Sequence, residues 1–569
     1  MSGLVAAVKV SGSVRPNPIA ELADAFEQIC GRSRKREILS VRQGDVSVAA
    51  LDYGSSPAFV IRNGKSFTVL SGSPLIGDRN ASDLRELDGH FAGFQYDSEA
   101  DLVRIANDRF GMQSLFVSRA DGWMLVSTSA VTLAAYQRSS VDVIGAAAYL
   151  LCGSQFGPRT HWQGITRVEP ATEIVVKNFD FRENQYWHPI ACTDPARSIK
   201  DAVRSSARTW CDEMSSLAVQ DPMQVDLTGG YDSRLVLAAM LASGREVTTQ
   251  TAGSLDSIDV RIAQEVSRVA GVEWRHECID RNEPDVDQLG LAVAWSSGTL
   301  DAFQLSEVFE SHRKRLDGSV ITGGGVEHFG PYPWLQEFAR AGRTERVNVS
   351  NLFAMRLLSS PGDVPISLEL RREVELYLRS LVDQVCNRYQ GCLNTVKLDA
   401  FYAYKSVGHF GAYRSATEVL THSYIPGYFR SIFSEGFSAS FELRARHRLH
   451  RGIIDSLNRK VASIETERGG PAAPVRASNF YRFAPYYYRL SKAAYSKIRG
   501  ETQRQGSGKL SLSDHYVIGR FEGSGWLRDS ALAYELVDAG CLSSSLCSRP
   551  EVLRRLYTVE SALELGRPG

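Results

Sequence analysis

The sequence predicts an α/β and α+β protein in two parts. Residues 1–190 read as an antiparallel, strand-rich region, and residues 191–569 as a parallel-sheet region with a helical tail. Three observations carry this. Short apolar segments in the first part are punctuated by Gly, Asp and Ser, as stacked antiparallel strands require. From about Thr193 the pattern turns to alternating strand and helix, which implies a parallel sheet with crossover helices. The chain has 569 residues, about three to four times the usual single-domain length, so two large domains or more are expected.

Taken in order, a helix is expected over 19–29, where Leu22, Phe26 and Ile29 recur at helical spacing. Strands are expected over 46–48, 58–61, 67–70, 102–105 and 123–126. An apolar strand over 223–227 runs into a Gly-Gly turn and then an amphipathic helix over 233–242. A second strand follows over 247–251 and a second helix over 258–270. Beyond about residue 350 the pattern is mainly helical, with a Gly-, Pro- and Ala-rich loop over 465–478 and a mobile stretch over 499–510. No internal repeat is visible.

Composition excludes several classes. Lys+Arg and Asp+Glu number 65 each, which argues against a dominant nucleic-acid role. The longest apolar stretch, 144–152, is far short of the ~20 residues that span a bilayer, and the N-terminus lacks the charged and hydrophobic regions of a signal peptide. Nine scattered cysteines without a CxxC point to reduced thiols and a cytosolic, cytoplasmic setting without structural zinc.

The sharpest local signal is Val225-Asp226-Leu227-Thr228-Gly229-Gly230-Tyr231-Asp232-Ser233-Arg234. Glycines let backbone N–H groups approach an anion, and a helix N-terminus adds positive potential, so a phosphate or pyrophosphate is favoured there. Thr228 and Ser233 offer hydroxyls, and Asp232 offers oxygen to magnesium. The bland alternative is an ordinary strand–turn–helix connection with a capping side chain. Neither this loop nor Gly506-Ser507-Gly508-Lys509 satisfies the GxxxxGK[ST] pattern. The basic run 444–451 reads as a solvated helix face, or alternatively as a contact for phosphates or an acidic peptide. The aromatic run 480–488 reads as packing of a C-terminal helix.

The run Leu227 to Ser233 resembles the pyrophosphate loop S-G-G-x-D-S of ATP pyrophosphatases, in the setting of the synthetase half of class-B asparagine synthetases. The segment 321–332, Ile-Thr-Gly-Gly-Gly-Val-Glu-His-Phe-Gly-Pro-Tyr, resembles that family's S-G-E-G-x-D-E-L-F-G-G-Y, with Glu327 where the second magnesium-binding Asp stands. Residues 88–97, 106–116, 164–170 and Tyr186-Trp187 resemble the family's N-terminal segments in the same order. The resemblance implies a degenerate glutaminase-like sandwich of the N-terminal-nucleophile type over 1–190 and an ATP-dependent synthetase domain over 191–569. It implies ATP and Mg2+: Thr228, Gly229, Gly230 and Ser233 would cradle pyrophosphate. Asp232 with Glu327 would hold the metal, and Leu227, Thr251, Thr322 and Gly323 would line the adenosine side.

Departures shape the expected function. Glutamine-hydrolysing relatives begin Met-Cys and use that Cys as nucleophile, whereas position 2 here is Ser2. Serine lacks the accessible thiolate, so no ammonia from glutamine is expected and the amine must come with the substrate. That pattern is similar to lasso-peptide cyclases and β-lactam synthetases. The expected activity is therefore amide-bond formation through an acyl-adenylate, releasing AMP and pyrophosphate, with macrolactam closure of a precursor peptide favoured and a processing protease as partner. A β-lactam or asparagine-type synthetase acting on a small molecule, or a non-enzymatic scaffold, is the alternative. Gly324 replaces the family's Glu or Tyr. The family's late Lys aligns near Thr466, where Lys460 or Arg468 would substitute. Glu418, ahead of the degraded segment 424–428, reads either as a base or amine-orienting group or as a helix-face carboxylate.

Overall fold

A computed structural model describes residues 2–12, 16–31, 37–43, 45–52, 59–75, 83–190, 197–217, 222–278, 284–313, 319–334, 342–344, 346–352, 357–358, 364–498, 511–523, 536–537 and 544–567. The expected mobile stretch 499–510, including Gly506 to Lys509, lies outside them.

The first part contributes twelve strands: β1 (Ser2–Lys9), β2 (Glu37–Gln43), β3 (Val46–Asp52), β4 (Phe59–Asn63), β5 (Ser66–Leu75), β6 (Asp88–Asp97), β7 (Leu102–Asn107), β8 (Phe116–Ala120), β9 (Trp123–Ser127), β10 (Ile165–Arg167), β11 (Thr172–Lys177) and β12 (Asp180–Gln185). They form two six-stranded sheets, ordered β10-β8-β9-β1-β3-β2 and β12-β11-β7-β6-β5-β4. Successive side chains of a strand point to opposite faces, and β1 is buried on both. Leu4, Ala6 and Val8 enter the core between the sheets with Val48, Phe94 and Ile105. Val5 and Ala7 face outward onto Leu22, Phe26 and Ile29 of the helix Ile19–Cys30. β1 has no polar alternation because both its faces are covered, so it carries no period-2 signal. β12 escaped the pattern for the opposite reason, since five of its six residues are exposed on a sheet edge.

The second part holds a five-stranded parallel sheet of β13 (Met223–Asp226), β14 (Val247–Ala252), β15 (Glu273–Glu277), β16 (Ser319–Ile321) and β17 (His422–Tyr424), ordered β15-β14-β13-β16-β17. Val225 pairs with Thr249 on one side and Ile321 on the other. The helix Asp232–Ala242 departs from the amphipathic expectation. Every residue from Ser233 to Met240 is buried, because the helices Ile199–Ser215 and Arg448–Leu457 cover the face turned from the sheet. The chain lays down β13, β14 and β15 in one direction, then returns to place β16 and β17 on the other flank. The direction reverses between β13 and β16, and in open parallel sheets ligands bind beyond the carboxyl ends of the strands at such a switch point.

The two parts are joined through buried contacts. His90 Nε2 accepts from the Ile425 backbone N–H at 3.0 Å. Arg414 donates to Gln113 Oε1 at 2.6 Å and to Ser73 Oγ at 3.1 Å. The seven described cysteines are free, and among the described residues no helix is long and apolar enough to cross a membrane.

Candidate active site

β13 ends at Asp226 and Leu227 is buried beneath the turn that follows. The turn closes on itself: the Thr228 N–H donates to Ser233 Oγ at 3.0 Å, and the Gly230 N–H to Thr228 Oγ1 at 3.3 Å. A Cβ at Gly229 would stand 2.8 Å from Asp259 Oδ1, so a side chain there would have to push that carboxylate aside. That carboxylate accepts the Gly229 N–H at 2.9 Å, so an anion seated on this amide would have to displace Asp259. Arg234, fully buried at the helix start, donates to the backbone oxygens of Ile464 (2.7 Å) and Glu465 (2.9 Å). Burial lowers its pKa to about 10. It fastens the segment 464–467 over the turn, and the Glu467 N–H donates to the Gly229 carbonyl at 3.1 Å.

Across the switch point, β16 leads through Thr322 and the glycines into a short 3-10 turn over Val326–Phe329. Gly323 packs against the helix start, where a Cβ would fall 2.7 Å from the Ser233 nitrogen. Gly325 takes φ +78°, a left-handed conformation natural to glycine, against Gly427 and Tyr428. This turn presents Glu327 to a cavity of about 400 Å³ that Asp232 also lines. Burial pushes the Glu327 carboxyl up to about 8, with the Asp232 charge adding to the effect. Tyr402 Oη donates to Glu327 Oε1 at 3.4 Å, while Glu327 Oε2 is buried with no hydrogen-bond partner. His450 Nε2 stands 3.0 Å from Asp232 Oδ1 without hydrogen-bond alignment.

The donor set suits a hard divalent cation. Magnesium is usually held by one or two carboxylates, with waters and substrate phosphates completing its shell. An unpartnered carboxylate oxygen beside a second carboxylate supplies that pair. No group of three or more His, Cys, Asp or Glu able to hold a metal occurs among the described residues.

The cavity gathers Thr228, Gly230, Asp232, Glu327 and Arg468 from the sequence-predicted residues. Ser233 and Gly229 form the turn behind it. Thr322 opens onto an adjoining cavity of about 720 Å³, which shares His409 and Phe410 with the first. Leu227, Thr251 and Gly323 line neither cavity; Thr251 is buried with its hydroxyl donating to the Leu227 carbonyl at 2.9 Å. Lys460 is exposed on the turn Arg459–Ala462 and faces neither. Glu418 is buried at the junction with the N-terminal part, paired with Arg414 at 2.9 Å and accepting from Ser73 Oγ at 2.8 Å. Burial opposes its charge, yet Arg414 and His422 hold its carboxyl well below the usual carboxylate range. Glu418 is thus an ion-paired carboxylate that lines neither cavity.

Sequence reasoning missed Lys405, Tyr402, Tyr332 and Glu467, which line the smaller cavity together with His447 and His450 of the basic run. Lys405 and Tyr402 are three apart on the helix Asn394–Ser406, and so share a face, but no motif marks them. The basic run is a solvated face only in part. Arg444 and Arg451 are buried with His447 and His450, whereas Arg446 and Arg448 are exposed. Tyr231 stacks on His447 with ring centroids 4.6 Å apart, and burial holds His447 well below the ordinary histidine range. Arg451 donates to Tyr231 Oη at 2.9 Å and lies over the Phe483 and Tyr486 rings. Those two residues are the buried members of the aromatic run; Phe480, Tyr481, Tyr487 and Tyr488 are exposed.

Residues 75–187 match the family described as the glutamine amidotransferase domain. A stretch of 183 residues is 25% identical to the amidase chyE of Penicillium rubens, covering 31% of this chain and 26% of that protein. The chain thus spans about a quarter of the length of this curated relative. Two solved structures, the allosteric regulatory enzyme of purine biosynthesis and the glutamine phosphoribosylpyrophosphate amidotransferase of B. subtilis, match at 10% and 9% identity. They cover 48% and 50% of this chain and 80% and 94% of their own, at a TM-score of 0.24 each.

Proposed function

We propose that this protein is an ATP- and magnesium-dependent amide-forming ligase, closing a macrolactam between a carboxylate and an amine of the same peptide. The observation that carries the reading is the facing of Asp232 and Glu327 across one cavity at the sheet's switch point, beside the Gly229-Gly230 turn. The amidotransferase-domain match and the amidase relative support chemistry at amide bonds. In the proposed reaction a substrate carboxylate oxygen attacks the α-phosphorus of ATP and pyrophosphate leaves. The substrate's amine then attacks the acyl carbon, AMP leaves, and the amine gives up a proton. A magnesium ion bound by the two carboxylates would neutralise phosphate charge. Arg468 and Lys405 supply fixed positive charge to the same cavity.

Isotope exchange between ATP and pyrophosphate, driven by the cognate peptide, tests the reading. Asp232→Asn should lower exchange roughly 10²–10⁴-fold, the scale of losing an electrostatic stabiliser. An Asn variant that melts with the wild type and exchanges at the wild-type rate would remove this role from the turn.

A further inference from the structure

A groove of about 880 Å³ lies on the opposite side of the segment Arg446–Arg451 from the Asp232 cavity. Its walls carry Lys200 and Arg204 from the helix Ile199–Ser215, Arg446 from the 3-10 turn Ala445–His447, Arg448 from the start of the helix Arg448–Leu457, and Arg459 and Arg476 beyond it. All six are exposed. Asp455 is the one carboxylate among its described lining residues, and it is paired with Arg476 at 2.5 Å. No ion pair within 4 Å engages Lys200, Arg204, Arg446, Arg448 or Arg459 among the described residues. In a chain whose charges balance overall, five cations on one concave surface make a field that selects an anion.

Between the cations the groove is apolar, with Ile199, Val203, Val475 and Tyr487. A bare phosphate leaves that surface unused, whereas a peptide alternating carboxylate and aliphatic side chains covers both. The segment separating groove and cavity is strained. Arg446 and His447 both take left-handed backbone, φ +56° and +59°, which is uncommon for consecutive residues other than glycine. The turn sends Arg446 into the groove and His447 into the cavity. We infer that the groove holds an acidic, partly aliphatic segment of the peptide substrate while another part of that peptide occupies the cavity. This deepens the proposed function and rests on its peptide-substrate reading.

The test measures binding of a fluorescent eight-residue peptide alternating acidic and leucine residues to the full chain, without ATP or magnesium. Its amide counterpart, with Asn and Gln for the acids, and a single-stranded oligonucleotide of equal charge serve as comparisons. The acidic peptide should bind at least ten times tighter than the amide one, weaken as salt is raised, and compete better than the oligonucleotide. The double variant Arg204→Glu/Arg459→Glu should weaken binding at least tenfold with an unchanged melting temperature. Equal binding of the two peptides, preference for the oligonucleotide, or undiminished binding by a folded double variant would overturn the assignment. The wild-type comparison decides even if the variant fails to fold. Lost ATP–pyrophosphate exchange with intact peptide binding would count against the ligase reading alone.

Discussion

At the scale of the residue, Glu327 combines burial, a nearby carboxylate and an unpartnered oxygen, and its titration follows from these. Its carboxyl titrates at 4.5 ordinarily and at about 8 in the fold. Between those values the folded chain holds a proton that the unfolded chain has released. This side chain's contribution to stability is therefore complete below pH 4.5 and fades as pH rises through 8. Glu327→Gln stays neutral throughout, so wild type should lose melting temperature relative to the variant from pH 5 to pH 8. Magnesium at pH 8 should recover the difference in wild type and do nothing for the variant. Parallel melting curves at all pH values would mean that Glu327 is solvated. Gly323 makes the complementary case, because what its Cβ would strike is the backbone of Ser233 rather than a flexible side-chain end. Gly323→Ala should cost about 1–3 kcal/mol in denaturant unfolding, as overpacking does, and lower exchange activity with it. A loss below ~0.5 kcal/mol would show that the turn has slack.

At the scale of the element, the site depends on pieces that join distant parts of the chain. Arg444 ion-pairs with Asp399, which also accepts from Trp334 Nε1 at 3.0 Å, so helix 394–406 is tied to the segment just after Glu327. The Arg414–Glu418 pair performs the same service at the junction with β5, where both side chains are almost wholly buried. Breaking one partner of a buried pair leaves an uncompensated charge, so Glu418→Gln should destabilise by about 3–5 kcal/mol at neutral pH. The depressed pKa sets the sign of the pH dependence. The stabilisation is fully present above the ordinary carboxylate value and is lost progressively as pH falls from there through the much lower value Glu418 has in the fold, so the gap between wild type and variant should narrow on acidification. Urea titrations at pH 7 and about pH 3 read this narrowing. A gap below ~1 kcal/mol at pH 7 would mean that the contacts from Ser73 and Gln113 alone keep Arg414 in place.

At the scale of the whole molecule, an N-terminal sandwich matching a glutamine amidotransferase domain over 75–187 is fused to a parallel-sheet part that carries the proposed ligase site. Ser2 is the first residue of β1, and its hydroxyl lacks the accessible thiolate of a cysteine nucleophile. Incubation with glutamine should therefore release no glutamate above background, with or without ATP. Release that disappears in Ser2→Ala would assign the sandwich an activity of its own. Through the junction of Ser73, Gln113 and His90 with Arg414, Glu418 and Ile425, the sandwich still serves as a wall against which β17 and its neighbours are built.

By itself the sequence determined the features written in local pattern. Alternation marked β3, β5, β7 and β9, an apolar run and two glycines marked β13 and its turn, and Asp232 stood where a turn becomes a helix. These are consequences of near neighbours, because backbone sterics, side-chain period and end-of-helix donors act over a few residues. Tertiary structure alone decided what distant segments share. It brought Lys405 and Tyr402 from helix 394–406, His447 from the turn before helix 448–457 and His450 from that helix to the same cavity as Asp232. It left Lys460 in solvent and buried Glu418 in an ion pair, and it placed the Asp259 carboxylate on the Gly229 amide. The physical reason is that these outcomes depend on burial and on how distant segments pack: Asp259 lies thirty residues from the Gly229 amide it meets, and even the Arg414–Glu418 pair, four residues apart, owes its burial to Ser73 of the N-terminal part.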